Sequence, residues 1–328
     1  MKLTVLGAGA WGTALALVLH RNGHPVTLWG HSAEHLEEVR HAARNERYLP
    51  GIDLSRDWSF EPNFTRAIDG AEFVVMAVPS KALREVAKGL GSYVGILLSV
   101  TKGIEHDSGL TMCGVLRECA PRARIAALSG PSLALEVAKR IPTAVVAASE
   151  DTALAQTAQT LFHSPTFRVY TSTDTLGVEM GGALKNVVAI AAGVCDGLGF
   201  GDNTKATLLT RGIVEIRRLG VQCGALPETF AGLSGLGDLT VTCFSKLSRN
   251  RSLGERLGRG EKLADILAGS VAVAEGYPTA HSARQLALRH GVSTPILDEV
   301  YSLLYEGKNV AKALQDLMGR ESKAESSG

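Results

Sequence analysis

The sequence predicts an α/β fold with a Rossmann-like, doubly wound, mostly parallel sheet, followed by an all-helical C-terminal domain. In the N-terminal half, short continuous apolar runs alternate with helix-like segments, which is typical of parallel strands covered on both faces. A glycine-rich turn directly follows the first of these runs. From about residue 176, long helical stretches replace the strands. We therefore expect a dinucleotide-binding domain at 1–174 and an all-helical substrate and catalytic domain at 175–328.

Seven strands are predicted in the first domain, because each is a short apolar run bounded by turn signals. They are Leu3–Leu6, Val26–Trp29, Phe73–Val78, Ile96–Val100, Arg124–Leu128, Ala144–Ala147 and Phe167–Tyr170. Helices are expected between them near 11–22, 32–43, 80–89, 108–119, 132–139 and 151–162. In the second domain helices are expected at about 176–195, 203–219, 249–258, 261–268, 279–290, 294–306 and 308–318. Asn203 and Gly220 suit the start and the end of one of them.

The composition restricts the partners, metal sites and cellular location that we expect for this protein. The chain has 328 residues and a formal net charge of +1 without basic runs, and so neither nucleic acid nor a membrane surface is an expected partner. Five cysteines without a Cys-x-x-Cys pair argue against disulfides and a structural metal, and suit a reducing cytosol. The first residues resemble a strand and not a signal peptide, and no apolar run is expected to approach the roughly 18 residues of a membrane span. A cytoplasmic protein without membrane insertion is expected.

The turn Gly7-Ala8-Gly9-Ala10-Trp11-Gly12 lies between the first strand and the first helix. Gly7 permits the tight turn, Gly9 allows close approach of a pyrophosphate, and Gly12 allows close helix–strand packing. The N-terminus of the helix then faces the phosphates. This context predicts dinucleotide binding, with a purely structural turn as the alternative.

The end of the second strand bears on the choice of cofactor. It has the sequence Leu28-Trp29-Gly30-His31, without the carboxylate that usually binds the ribose 2′-hydroxyl of NAD. His31 would tolerate or pair with a 2′-phosphate, and so the sequence favours NADP or the use of both NAD and NADP. A surface histidine without a role is the alternative.

Polar groups follow three other strands, in Val78-Pro79-Ser80, Val100-Thr101-Lys102-Gly103 and Leu128-Ser129-Gly130-Pro131-Ser132. The carboxyl ends of parallel strands form the edge at which ligands bind. Lys102 is suited to an anionic substrate or a carbonyl, and Gly130 and Ser132 open a helix, where negative charge is favoured. Each of these segments alone would be an ordinary loop.

Lys185 is the only charged residue in the stretch Met180–Cys195. Burial of an unpaired ammonium is expensive, and a lowered pKa is the usual outcome, which would let the lysine exchange protons near neutral pH. On a helix it shares its face with Gly181, Gly182, Ala189 and Ala192, which allow something to approach closely. A lysine that reaches water along its own stem is the alternative.

Two further motifs lie in the helical half. Gly232–Thr240 is predicted to be a glycine-rich turn that contains Asp238. Ser248 is suited to cap a helix whose first turn holds Arg249 and Asn250, and backbone N–H groups with a guanidinium would bind a phosphate there. The alternatives are a simple connector and an arginine paired with a carboxylate.

Taken together, these segments resemble the bacterial NAD(P)-dependent sn-glycerol-3-phosphate dehydrogenases. The resemblance runs from residue 3 to about 310 and is carried by Gly7–Ala16, Asn45–Gly51, Gly130–Ser132, Gly181–Val187, Gly235–Leu239 and Ser248–Arg251. It implies reversible reduction of dihydroxyacetone phosphate to sn-glycerol 3-phosphate, a precursor in glycerophospholipid biosynthesis. It also implies a homodimer as one assembly, although no segment identifies an interface.

The resemblance implies roles for individual residues. Lys185 corresponds to the catalytic proton acceptor. The implied substrate contacts are Lys102, Gly130, Ser132, Lys185, Asp238, Ser248, Arg249 and Asn250. The implied cofactor contacts are Gly7, Gly9, Ala10, Trp11, Gly12, His31, Lys102, Ala134, Arg249, Val273 and Glu275. Ala10 replaces a serine of some relatives, and His31 an arginine of many.

The expected mechanism places Lys185 at the C2 oxygen of the ketone as proton donor. Lys102 would lower the pKa of Lys185 and steady the same oxygen, while Asp238 would orient Lys185 but raise its pKa. Two alternatives differ in function. One is a related two-domain dehydrogenase that acts on a hydroxy acid or phosphogluconate, and the other is a dinucleotide-sensing module without catalysis.

Overall fold

The computed structural model describes residues 1–269, 274–322 and 324–325. Its chain divides into two compact units, each with its own hydrophobic core. Unit 1 comprises Met1–Thr101 and Met112–Thr175, and unit 2 comprises Lys102–Thr111 and Leu176–Gly328. Ten residues between a strand and a helix of unit 1 thus belong to unit 2. We call them the 102–111 strap.

Unit 1 is built around a sheet that has eight strands within the described residues, in the order β3-β2-β1-β4-β5-β6-β7-β8. The strands are β1 Leu3–Leu6, β2 Val26–Trp29, β3 Ser59–Phe60, β4 Phe73–Met76, β5 Ile96–Ser99, β6 Arg124–Ser129, β7 Thr143–Ala148 and β8 Phe167–Ser172. Only the β6–β7 pair is antiparallel. The mostly parallel, doubly wound sheet is therefore confirmed.

The helices of unit 1 lie between these strands. They are α1 Ala10–Arg21, α2 Ala33–Ala42, α3 Phe64–Ile68, α4 Ser80–Lys88, α5 Met112–Cys119, α6 Ala134–Ala138 and α7 Thr152–Phe162. The sequence missed α3 and the two-residue strand β3, because such short elements show no periodicity. The helix predicted near 108–119 begins only at Met112, since residues up to Thr111 belong to the strap.

Apart from the strap and the connecting loops, the described residues of unit 2 are helical. Its α-helices are α8 Thr175–Gly197, α9 Asp202–Gln222, α10 Asp238–Phe244, α11 Arg249–Gly258, α12 Leu263–Ala268, α13 Gly276–His290, α14 Pro295–Tyr305 and α15 Val310–Met318. A 3₁₀ turn at Pro227–Ala231 and a π turn at Leu233–Gly237 precede α10. The glycine-rich turn predicted over Gly232–Thr240 is therefore a π turn up to Gly237, but the prediction was wrong from Asp238, where α10 begins.

The predicted cap and stop of α9 were also wrong. Gly201 is the N-cap, so Asn203 already lies inside the helix, and α9 continues past Gly220 to Gln222. A Cβ at Gly220 would lie 2.2 Å from the ring of Phe230. This glycine therefore makes room for an aromatic side chain instead of ending the helix.

Helix α8 is the central helix of unit 2. Contrary to the expectation from the sequence, it is long and apolar enough to cross a membrane, and it is the one such helix in the described part of the chain. However, 89% of its most apolar window is buried inside the protein, as in the core helix of a globular domain. Its Gly193 faces α11, where a Cβ would lie 1.9 Å from the carbonyl oxygen of Arg251. A Cβ at Gly254 of α11 would likewise lie 1.9 Å from the carbonyl oxygen of Ile190, so both glycines are needed for this close packing.

Glu215 of α9 caps the N-terminus of α14. Its buried carboxylate accepts hydrogen bonds from Ile296 N at 2.9 Å and Leu297 N at 3.2 Å. Burial raises the pKa of Glu215 from its usual 4.5 to about 7, although these two N–H groups act in the opposite direction. Because the folded protein favours the neutral acid, the contribution of Glu215 to stability is complete below about pH 4.5. It is lost as the pH rises through about 7.

A Glu215→Gln variant cannot ionise and should lack this pH dependence. Relative to the unsubstituted protein, its free energy of unfolding should increase by on the order of 2 kcal/mol between pH 5 and pH 8. Urea unfolding at several pH values measures the difference. Glu85→Gln, at an exposed site on α4, serves as the control. Parallel stability curves for Glu215→Gln and the unsubstituted protein would contradict the assignment.

Candidate functional site

The glycine-rich turn of unit 1 has the conformation that the sequence predicts. Gly7 has a φ of 126°, and a Cβ there would lie 2.5 Å from the carbonyl oxygen of Ala77. At Gly12 a Cβ would lie 1.9 Å from the carbonyl oxygen of Gly7, whereas at Gly9 it would meet nothing within 4 Å. The turn is thus closed towards the sheet and open at Gly9.

The N-terminus of α1 is suited to an anion. Gly9 is its N-cap, no side chain caps the helix, and its first turn, which includes Ala10 and Trp11, contains no acidic residue. The first backbone N–H groups therefore lie at a positive helix end without a competing carboxylate. These residues fit the pyrophosphate of a dinucleotide.

The other predicted residues of unit 1 lie at or beyond the carboxyl ends of strands. β1, β4, β5 and β6 are parallel neighbours, and so their carboxyl ends share one edge of the sheet. Gly130 follows β6 with a φ of 136°, and the hydroxyl of Ser132 donates to the carbonyl of Gly130 at 2.8 Å. Ala134 is the first residue of α6. His31 follows β2 and is exposed.

In unit 2 the structure brings Lys102, Lys185 and Asp238 together. Lys185 Nζ donates to Asp238 Oδ1 at 2.7 Å, and Lys102 Nζ donates to Asp238 Oδ2 at 2.6 Å. The Asp238 side chain is 1% exposed and that of Lys185 8%, while Lys102 on the strap is 17% exposed. One carboxylate therefore holds two ammonium groups, and the cluster carries a net positive charge when both lysines are protonated.

Thr242 completes the surroundings of Lys185 and was missed by sequence reasoning. Its hydroxyl accepts from Lys185 Nζ at 2.6 Å and donates to the backbone carbonyl of Asp238, also at 2.6 Å. Asp238 and Thr242 are four residues apart on α10, and so they share one face. This signal was hidden because Asp238 was predicted to lie in a turn and no helix was predicted at Thr242.

Burial and the charge of Asp238 act in opposite directions on the pKa of Lys185. Burial lowers the pKa of Lys185 to about 8, and the positive charge of Lys102 acts in the same direction. The carboxylate of Asp238 raises that pKa but does not compensate for the burial. Lys185 is therefore poised to exchange a proton near neutral pH.

The small residues beside Lys185 allow close approach of backbone. A Cβ at Gly181 would lie 2.6 Å from the carbonyl oxygen of Ser234, in the π turn before α10. Only a glycine on α8 lets this turn come so near, and the turn leads directly into Asp238. The packing of α8 thus helps to place the carboxylate beside Lys185.

The N-terminus of α11 forms the second part of the site. Ser248 is its N-cap, as predicted, and its hydroxyl accepts from Arg251 N at 3.2 Å. Arg249 is exposed at the first helical position. In contrast, Arg251 is buried and pairs with Asp196 at 2.6 Å. The alternative of an arginine paired with a carboxylate therefore applies to Arg251.

Asn250 joins the two parts of the site. Its side-chain amide donates to Asn186 Oδ1 at 2.9 Å, and its oxygen accepts from Gly276 N at 2.8 Å. Asn186, a second residue that sequence reasoning missed, directly follows Lys185. The Asn250 side chain therefore links α11 to α8 and to the start of α13 through these two hydrogen bonds.

Of the last two predicted cofactor contacts, the described residues include Glu275 but not Val273. Glu275 precedes α13, and its carboxylate interacts electrostatically with the Arg249 guanidinium. Val273 lies outside the described residues. Beyond these positions, the structure adds Thr242 and Asn186 to the candidate residues.

Comparison with known proteins accounts for nearly the whole chain. Residues 2–155 match the family described as NAD-dependent glycerol-3-phosphate dehydrogenase N-terminus, and residues 174–315 match its C-terminus. A glycerol-3-phosphate dehydrogenase [NAD(P)+] of Geobacter sulfurreducens is 50% identical, over 99% of this chain and 98% of that protein. A protein of the same name from Bacillus velezensis is 46% identical, over 97% of this chain and 94% of that protein.

The fold agrees with these matches. The crystal structure of glycerol-3-phosphate dehydrogenase from Coxiella burnetii superposes with a TM-score of 0.94 at 35% identity, and covers 97% of this chain and 99% of that chain. The sequence matches and the fold therefore indicate the same family. The chain belongs to the NAD-dependent glycerol-3-phosphate dehydrogenase family.

Proposed function

We propose that this protein is an NAD(P)-dependent sn-glycerol-3-phosphate dehydrogenase, which reversibly reduces dihydroxyacetone phosphate. The observation that carries this proposal is the buried Lys185–Asp238–Lys102 cluster, hydrogen-bonded at 2.6–2.7 Å, with a lysine whose pKa is about 8. Such a group can protonate an oxygen at neutral pH, and the excess positive charge stabilises the negative charge that develops there. Family membership supports the substrate and the cofactor.

In the reducing direction, NADH or NADPH, when bound, would supply the hydride for the C2 carbon of the ketone. Lys185 donates a proton to the C2 oxygen, and in the reverse direction it removes that proton. Asp238 and Thr242 orient the ammonium group by accepting hydrogen bonds from two of its three N–H groups. The third N–H group is left to donate to the substrate oxygen. Lys102 adds positive charge beside the same oxygen.

The phosphate is proposed to bind at the start of α11. The backbone N–H groups of Arg249 and Asn250 lie in the first turn of a ten-residue helix, where negative charge is favoured. The Arg249 guanidinium adds a charge-assisted contact. Gly130 and Ser132 are proposed as further substrate contacts.

The dinucleotide is proposed to bind along the glycine-rich turn. The proposed contacts are Gly7, Gly9, Ala10, Trp11, Gly12, His31, Lys102, Ala134, Arg249 and Glu275. Because the residue after β2 is His31 and not an acid, NADP or the use of both cofactors is favoured. We further propose that residues 1–174, apart from the 102–111 strap, act as the dinucleotide-binding domain and that residues 175–328 act as the substrate domain. A cytoplasmic homodimer that serves glycerophospholipid synthesis completes the proposal.

A spectrophotometric assay with dihydroxyacetone phosphate and each reduced nicotinamide tests the function. The unsubstituted protein should oxidise at least one of them, and Lys185→Ala should lower kcat by about 10²–10⁴-fold while cofactor binding persists. In the reducing direction the rate should fall above about pH 8, because the ammonium form is needed. In the oxidising direction the rate should rise through the same pH, because the neutral amine is needed.

Lys205→Ala provides a matched control, since Lys205 is also buried and pairs with a carboxylate, that of Asp196, at 2.5 Å. It should lower stability and leave the pH profile unchanged. Near-normal turnover in Lys185→Ala would remove this lysine from the chemistry. Activity only on hydroxy acids or phosphogluconate would replace the proposed substrate, and cofactor binding without turnover would indicate a sensing module.

At saturating cofactor, removal of the Arg249 guanidinium should affect only the phosphorylated substrate. Arg249→Ala should raise the KM for dihydroxyacetone phosphate by about 10–100-fold, because a charge-assisted hydrogen bond is lost. With the cofactor at saturating concentration, turnover of unphosphorylated dihydroxyacetone should stay unchanged. Arg256→Ala, on the same helix, removes a guanidinium that pairs with Glu261 and serves as the control. An equal loss on both substrates would refute the phosphate contact.

A further inference from the structure

Asn45 lies beneath the glycine-rich turn and is completely buried. Its side-chain nitrogen donates two hydrogen bonds, one to the backbone carbonyl of Ala8 at 2.9 Å and one to the hydroxyl of Thr13 at 2.8 Å. Ala8 lies inside the turn, and Thr13 lies in the first turn of α1. One amide group therefore ties the peptide before the helix to the helix itself.

The bond to Ala8 fixes the orientation of a whole peptide unit. The Ala8–Gly9 peptide is planar and trans, and so its C=O and N–H point in opposite directions. Because the Ala8 carbonyl points to Asn45, the Gly9 N–H points away from Asn45, and a Cβ at Gly9 would meet nothing within 4 Å. Rotation of this peptide would withdraw the N–H and present a carbonyl oxygen to an anion.

Asn45 is itself held firmly by the segment that follows it. Its backbone carbonyl accepts from Leu49 N at 2.7 Å, and Leu49, Ile52 and Leu54 are buried in the core of unit 1. Leu54 N also donates to the carbonyl of Ala43 at 2.8 Å, which closes the loop on which Asn45 lies. Backbone hydrogen bonds and the burial of Leu49, Ile52 and Leu54 thus fix the position of Asn45 in unit 1.

We propose that Asn45 is a positioning residue for the dinucleotide, which sets the Gly9 N–H towards the pyrophosphate. This inference rests on the proposed function, since it assumes that the turn binds NADH or NADPH. It assigns a role to Asn45–Gly51, which the proposed mechanism does not otherwise use. It also explains why an amide is suited to this position: a carboxylate would place an oxygen against the carbonyl oxygen of Ala8, and an aliphatic side chain would leave that carbonyl without its donor.

The test compares Asn45→Ala and Thr13→Val with Thr4→Val. Thr4 is buried in β1, and its hydroxyl donates to the carbonyl of Ala67, away from the turn. Fluorescence titration with NADH and NADPH gives the cofactor Kd, and steady-state kinetics give kcat and both KM values. Asn45→Ala should raise the cofactor Kd and KM about tenfold, and Thr13→Val about threefold, with little change in kcat. Thr4→Val should lower Tm as Thr13→Val does, but should bind the cofactor normally.

The results separate a positioning role of Asn45 from a merely structural one. If Thr13→Val and Asn45→Ala bind the cofactor as tightly as Thr4→Val does, the positioning role is refuted. If Asn45→Ala does not fold, Thr13→Val, which keeps the side-chain volume, decides the question alone. A weakening of cofactor binding that only follows the loss of Tm in all three variants would indicate a merely structural role. If the unsubstituted protein binds neither nucleotide, the proposed function fails and this inference fails with it.

Discussion

The carboxylate of Asp238 accepts hydrogen bonds from two ammonium groups in a place where almost none of its surface reaches water. Without it, Lys185 and Lys102 would repel each other in a medium that screens charge poorly. With it, one of the two positive charges is neutralised and both ammonium groups are held in place. A single positive charge remains for an incoming anion. The surplus charge follows from placing two lysines around one buried acid, whereas the pKa of Lys185 is lowered first by burial and then by the charge of Lys102, against the effect of Asp238.

Much of unit 2 serves to bring that acid to its position. Gly181 lets the π turn before Asp238 approach α8, and Gly193 and Gly254 let α11 pack against the same helix. The Asn186–Asn250 hydrogen bond then links the residue after Lys185 to the residue after Arg249. The chemical groups are thus positioned by backbone contacts between helices, which explains why α8 is rich in small residues although it is a core helix.

Sequence reasoning identified the parts of this arrangement that depend on local signals. The glycine-rich turn, the continuous apolar strands and the Ser248 cap each have a short-range physical cause and agree with the structure. It failed where tertiary packing decides the outcome: Gly220 contacts Phe230 inside a helix, and the glycines of 232–237 form a π turn instead of a connector. No local pattern indicates that Lys102 belongs to unit 2, or that Thr242 shares a helical face with Asp238.

The 102–111 strap has a consequence for how this chain can be divided. The polypeptide leaves unit 1 after Thr101, returns at Met112 and leaves again after Thr175, so neither unit is a continuous piece of sequence. A hybrid made with another family member by one junction near residue 174 would combine the Lys102 of one parent with the Asp238 of the other. Exchange of a whole unit by recombination therefore requires three crossovers. Only then does the strap come from the same parent as the unit 2 helices that it contacts.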